Sequence, residues 1–224
     1  MGLLLKLSRD NKLDKIFLEK AADAVIEGKI IAYPTNTVYG LGGDPQNLKV
    51  INRIFEMKFR ERDKGLPILV SDIEEARKIG EFNLYASQIA EYFWPGQVTI
   101  IVKKILKSIP QKLTGGKQTV AIRVPENGII LAILGNLKSK GVLGGIIGTS
   151  ANISDQENII EGEYIPKLLF DQIDVILDCG KTLTQIPSTI VDCSSAKKKS
   201  ELKFLRIGSI SKEEILKIFN DGGI

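Results

Sequence analysis

A chain of 224 residues with 43% apolar and 26% charged content has the composition of an ordinary soluble globular protein, and its length predicts one domain, 1–224, with its own core. The net charge of +4 is a mild excess that permits anionic ligands or RNA without demanding them. Histidine is absent, which excludes a Ser-His-Asp triad, a Cys-His pair and any histidine metal site, so chemistry must run on cations, hydroxyls, carboxylates, backbone amides or a loosely held metal ion.

No apolar run approaches a membrane span, and MGLLLKLSRDNK has too short an apolar run for a signal peptide, so a cytoplasmic protein without membrane contact is expected. Leu13, Ile16, Phe17, Ala21, Ala24 and Val25 repeat at helical spacing and end at Gly28. A strand over 29–33 then runs into Pro34, past which it cannot continue, and delivers Thr35, Asn36 and Thr37 at its tip. Tyr39, Gly40, Gly42 and Gly43 follow, as a tight turn or a close approach to a ligand.

Leu48, Ile51, Ile54 and Phe55 mark a second helix, and 66–70 reads as a buried strand. Ser71 with Glu74 predicts a capping box for a helix over 72–80. A further helix over 84–93 stops at Trp94-Pro95-Gly96. Strands are predicted over 97–104 and 119–124 as antiparallel neighbours, and a helix over 128–137. A short strand over 144–148 feeds TSANIS. A weaker helix near 164–171 precedes strands over 174–179, 188–193 and 202–207, and Ser211 with Glu214 caps a last helix. Elements interleave without strict alternation, which predicts an α/β protein with a twisted mixed sheet, parallel and antiparallel, surrounded by helices. Cys179 and Cys193 fit neither a zinc site nor a disulfide framework and are expected as buried thiols.

Several polar residues break these patterns. Lys58 falls on the apolar stripe of the second helix, where it either snorkels outward or holds an anion. Arg60, Arg62 and Lys64 follow at once, with Glu61 and Asp63 between them. Thr149, Ser150, Asn152 and Ser154 repeat the hydroxyl-rich strand tip, and Ser188 and Thr189 open another strand. Arg123 and Arg206 sit in otherwise apolar strands, where arginine needs a partner or a cavity. Converging strand ends of this kind suit a polyanion on a small polar molecule, such as a nucleoside triphosphate. Neither a P-loop nor a GxGxxG fingerprint is present. The run Lys197-Lys198-Lys199 reads as a solvated loop rather than a nucleic-acid site.

Taken together, YPTNTVYGLG, KFRERDKGLP, WPGQVTII, TVAIRVP, TSANIS and PSTIVD resemble the YrdC-like threonylcarbamoyl-AMP synthase family in its short, single-domain form, over about residues 12–210. The resemblance implies a YrdC-like mixed sheet with a positively charged concave face. It implies a nucleotidyltransferase that condenses L-threonine, bicarbonate and ATP to threonylcarbamoyl-AMP and pyrophosphate. The product would pass to a tRNA threonylcarbamoyl transferase complex that modifies tRNAs reading ANN codons.

By the same resemblance Thr37, Arg123, Ser150 and Ser188 bind threonine. Lys58, Arg60, Lys64, Thr119, Asn152 and Arg206 bind ATP, and Lys58 and Arg60 carry most of the charge stabilisation. Mg²⁺ is expected on the ATP phosphates, with no side-chain ligands. Three positions depart from the family pattern: Asn36 stands where an acid is usual, Val70 and Ser71 where a histidine often occurs, and Ile207 where proline is usual. The rival readings are a double-stranded RNA or tRNA-binding module on the basic concave face, and carbamoyl transfer in hydrogenase maturation. Scattered aromatics speak against the first. The lack of zinc-finger cysteines speaks against the second.

Overall fold

Residues 30–33 have no polar alternates, as a strand buried on both faces requires. The computed structural model of the chain, which describes residues 2–7, 11–35, 38–154, 157, 159, 161–165, 167–182 and 186–221, gives this strand two cores. Ile31 and Tyr33 face one, and Ile30 and Ala32 face the other.

The elements in chain order are β1 (Leu3–Lys6), α1 (Asn11–Ile26), β2 (Ile31–Pro34), β3 (Tyr39–Gly42), α2 (Leu48–Met57), β4 (Ile68–Val70), α3 (Ile73–Ile79) and β5 (Gly80–Glu81). There follow α4 (Leu84–Phe93), β6 (Val98–Lys104), β7 (Thr119–Arg123), α5 (Gly128–Ser139), β8 (Gly145–Ile147) and β9 (Thr149–Ser150). The last are α6 (Lys167–Phe170), β10 (Val175–Asp178), β11 (Thr189–Asp192), β12 (Lys203–Arg206) and α7 (Lys212–Asp221). Among the described residues no helix is long and apolar enough to cross a membrane.

The strands form two mixed sheets rather than one. The smaller has the order β1-β10-β2-β3-β9, and the larger β12-β11-β6-β7-β4-β8, with β5 on the end of β6. β6 and β7 are antiparallel neighbours, as the sequence predicts. Ala21, Val25, Ile133 and Leu137 of α1 and α5 cover the outer face of the smaller sheet. The main core lies between α2, α3, α4 and the two sheets, around Ile54, Ile68, Ile89 and Ile100.

Four expectations change. Residues 39–42 are a buried strand, not a turn, paired on one side with β2 and on the other with β9. The glycines serve close approach: a Cβ on Gly40 would meet the Tyr33 ring at 2.5 Å, and one on Gly42 the Ile147 carbonyl oxygen at 1.9 Å. The α3 cap is Asp72, whose carboxylate accepts from Glu75 N, while Ser71 donates to Asp72. The predicted Ser211–Glu214 box does form on α7. Ile16 and Leu48, which fall on the apolar stripes of α1 and α2, are exposed, Leu48 at the first position of its helix. Cys193 is buried but Cys179 is exposed, its sulfur 3.8 Å from the Tyr39 hydroxyl at the end of β10.

Gly42→Ala is expected to destabilise the fold by roughly 3 kcal/mol or more, because backbone rather than a flexible side chain blocks the methyl group. Gly135→Ala, on the exposed side of α5 with open space around it, is expected to stabilise by about 0.5–1 kcal/mol. Urea denaturation of both variants measures the difference.

Candidate functional site

The ends of β2, β6, β7, β9, β11 and β12 frame a cleft of about 350 Å³. Among the described residues four cations line it: Arg60, Lys117, Arg123 and Arg206. Hydroxyls of Thr35, Thr99, Thr119, Ser150 and Ser188 fill much of the remainder, with Tyr33 and Tyr39 at the smaller sheet. No Asp or Glu among the described residues lines it.

Each arginine is held by main-chain carbonyls. Arg123, 6% exposed, donates from Nε to the Gly96 carbonyl at 2.7 Å. Burial draws its guanidinium down to about 10, with the Tyr33 phenol opposing and the Arg206 charge adding to the fall. Arg206 donates from Nε to the Ser188 carbonyl at 2.9 Å and from Nη2 to Ser188 Oγ at 3.1 Å. Ser188 Oγ in turn shares a 2.9 Å hydrogen bond with Thr99 Oγ1. Burial, then the charge of Arg60, lowers the Arg206 pKa. Arg60 donates to the carbonyls of Lys64 at 2.7 Å and Gly65 at 2.9 Å. Arg60, Arg206 and Arg123 thus form a row of like charges, which favours an anion between them.

Lys58 neither snorkels outward nor faces the cleft. It is 1% exposed, and its ammonium donates to the carbonyls of Ser150 and Asn152 and, at 3.3 Å, to Asn152 Oδ1. Its own carbonyl accepts from Ser154 N at 3.0 Å. Lys58 therefore holds the 150–154 run from below by both side chain and main chain. Burial, with the Arg60 charge adding, draws the ammonium down to about 7.

A helix-ending turn gives Lys58 and Arg60 their different directions. Phe59 N donates to Glu56 O, and Arg60 N reaches back to Phe55 O at 3.0 Å. Phe59 takes φ +50°, the left-handed position that glycine usually fills in this turn. Its side chain, 70% exposed, gives little burial in return.

Of the residues singled out from the sequence, Arg60, Thr119, Arg123, Ser150, Ser188 and Arg206 line the cleft. Lys58 and Asn152 are buried beneath its 149–154 wall. Lys64 contributes its carbonyl to Arg60, while its ammonium pairs with Glu61 at 3.0 Å on the outside. Thr37 and Asn36 lie outside the described residues. Sequence reasoning passed over Thr99 and Lys117. The signal for Thr99 was a single hydroxyl inside the apolar run VTIIV, and for Lys117 a cation two residues before Thr119.

These features define an α/β protein with a cationic, hydroxyl-lined cleft built on strand ends, without a P-loop. A model of the Sua5/YciO/YrdC family, described as telomere recombination, matches residues 23–208, and the chain belongs to this family. It is 33% identical over 202 residues to the threonylcarbamoyl-AMP synthase of Pyrococcus abyssi, covering 90% of this chain and 56% of that protein. The putative threonylcarbamoyl-AMP synthase of Methanocaldococcus jannaschii is 33% identical over 197 residues, 85% of this chain and 89% of that one. The crystal structure of P. abyssi Sua5 complexed with L-threonine superposes with a TM-score of 0.84 at 30% identity, over 97% of this chain and 60% of that one. The chain spans just over half the length of its P. abyssi and Bacillus subtilis relatives.

Phe59→Gly is expected to stabilise the protein by about 1 kcal/mol, since glycine takes the left-handed turn without a Cβ penalty. Lys58→Met should cost about 1–3 kcal/mol by leaving the Ser150 and Asn152 carbonyls without their donor. The same variant has a pH signature. Between a folded pKa of about 7 and an ordinary lysine value near ~10.4, the unfolded chain binds more protons than the folded one. Wild-type stability should therefore rise relative to Lys58→Met as pH climbs through that window. Urea titrations at pH 6.5 and 9.5 measure it.

Proposed function

We propose that the chain is an L-threonylcarbamoyladenylate synthase, a nucleotidyltransferase acting on L-threonine, bicarbonate and ATP. The observation that carries this reading is a hydroxyl-lined cleft with four cations and no carboxylate among its described lining residues. A triphosphate and an amino-acid carboxylate both need such charge, and a small β-hydroxy amino acid needs short hydroxyl partners. The threonine-bound P. abyssi relative supports the choice of amino acid.

Arg123, the deepest of the cleft's arginines, would hold the threonine carboxylate, with Ser150 and Ser188 beside it and Thr37 assigned by resemblance alone. Arg60 and Arg206, whose charges repel across the cleft, would take the phosphates, with Thr119 and Lys117 alongside. Lys58 and Asn152 would set the wall against which ATP lies, and Lys64 would act through Arg60. The threonine amine and bicarbonate give a carbamate and water. A carbamate oxygen then attacks the α-phosphorus, the bond to the β-phosphate oxygen breaks, and pyrophosphate leaves. Orientation and neutralisation of spread negative charge are the protein's part in such a step.

Among the described residues no group of three or more His, Cys, Asp or Glu could hold a metal ion. Mg²⁺ fits this reading as part of the substrate, carried on the ATP phosphates. A cytoplasmic location, and transfer of the product to a tRNA-modifying transferase, complete the proposal.

Pyrophosphate release from ATP is expected only when both L-threonine and bicarbonate are present; release without either one overturns the reading. Arg123→Ala should lower kcat/KM by about 10²-fold, on the order of 3 kcal/mol, chiefly against threonine. Arg206→Ala should show its larger loss against ATP and a smaller one against threonine, through the Ser188 hydroxyl that it holds. Steady-state kinetics with each substrate varied in turn separates the two.

A further inference from the structure

The larger sheet ends at β12, whose outer side pairs with no strand among the described residues. Most of this edge is in solvent: Lys203, Leu205 and Arg206 are exposed, Leu205 by 60%. A bare edge strand offers a row of main-chain donors and acceptors to a second chain. Its two faces differ. Leu205 and Arg206 line the cleft, whereas Phe204 turns to the opposite face.

On that opposite face lies a separate groove of about 450 Å³. Leu202, Phe204 and Leu216 make its floor, and Lys198, Lys199 and Lys212 its rim. No carboxylate among the described residues lines it. Glu201, the nearest acid in sequence, is engaged by Lys198 at 3.8 Å and by Lys197 N at 2.8 Å. Lys197 and Lys203 add further positive charge at either end of this segment. The lysine run that the sequence presents as a solvated loop is thus one wall of an apolar-floored groove.

We propose that the β12 edge and this groove dock an acidic, extended segment of a partner protein, added as a further strand to the larger sheet. Main-chain pairing would supply affinity, alternate apolar side chains would enter the groove over Leu202 and Leu216, and the intervening carboxylates would meet the lysines. The apolar floor favours a peptide over a nucleic-acid backbone. Lys212 already covers the Phe204 ring at 5.6 Å, so the ring is not presented for base stacking. The groove is distinct from the cleft, although the β12 edge borders both, and the inference stands apart from the reaction proposed above. A partner bound here would nevertheless lie one strand face away from Arg206.

The test is fluorescence anisotropy of the full chain with a labelled octapeptide that alternates glutamate with valine and leucine. Saturable binding is expected, weakened at least tenfold by Lys198→Glu with Lys212→Glu, both on exposed side chains, while pyrophosphate release stays at the wild-type rate. N-methylation of two alternate central peptide bonds should weaken binding similarly, and this arm leaves the protein untouched. Binding that ignores N-methylation, or survives charge reversal, overturns the proposal. So does tighter binding of a single-stranded RNA 12-mer to the same lysines, which would make the groove a polyanion surface. A dimer of the chain alone, dissociated by the same double variant in sedimentation velocity, would assign the edge to a second copy and overturn it as well.

Discussion

One short run of chain, 145–150, belongs to both sheets, and the cleft exists because of it. Residues 145–147 pair with β4 in the larger sheet, and residues 149–150 pair with β3 in the smaller. Gly148 makes the change between them. A Cβ there would sit 2.4 Å from Leu69 Cγ, so the crossing leaves no room for a side chain. The two sheets are pinned further by Ile147 N to the Gly43 carbonyl at 2.9 Å and by the Tyr33 hydroxyl donating to the Ile147 carbonyl at 3.0 Å. Just beyond the crossing, Lys58 holds the chain through the carbonyls of Ser150 and Asn152. A buried ammonium costs desolvation energy, which three oxygen acceptors offset in part.

The same geometry explains why so much positive charge collects at one place. Strands of both sheets end around the crossing, and a strand end exposes backbone carbonyls that have no partner in the ladder. Arginines fill that need beside β6 and β11, where Gly96 and Ser188 present carbonyls, and Arg60 does the same for Lys64 and Gly65 in the loop before β4. The cations close the turns and, in doing so, gather their charges into one cleft. Mutual repulsion along Arg60, Arg206 and Arg123 then opposes folding.

Much of this was legible in the sequence, and the failures have physical causes. The helices predicted over 84–93 and 128–137, the second of which runs two residues further to Ser139, the antiparallel pair of β6 and β7, and the Ser211 cap follow from local periodicity and capping, which act within a few residues. The arginines in apolar strands stood out because burial demands a partner. The strand at 39–42 was hidden because its glycines answer to a ring and a carbonyl far along the chain, and no local pattern records that. The direction of Lys58 was hidden for the same reason. The helical stripe showed that it points inward, but not that carbonyls rather than a ligand would meet it. Thr99 was lost inside an apolar run, since its partner Ser188 lies 89 residues away.

Anchoring by main-chain carbonyls also limits which cations can serve. A guanidinium can spend one edge on a carbonyl and keep its remaining N–H groups in a fixed plane toward the cleft, which a lysine ammonium cannot do with the same rigidity. Arg206 shows the arrangement most fully: Nε is fixed on the Ser188 carbonyl, and Nη2 sets the Ser188 hydroxyl, which in turn engages Thr99. One side chain therefore fixes the plane of its own guanidinium and the directions of two hydroxyls. Lysine at position 206 would keep the charge and lose the order. The directions of the cleft's donors are thus set by turns that the arginines themselves hold closed.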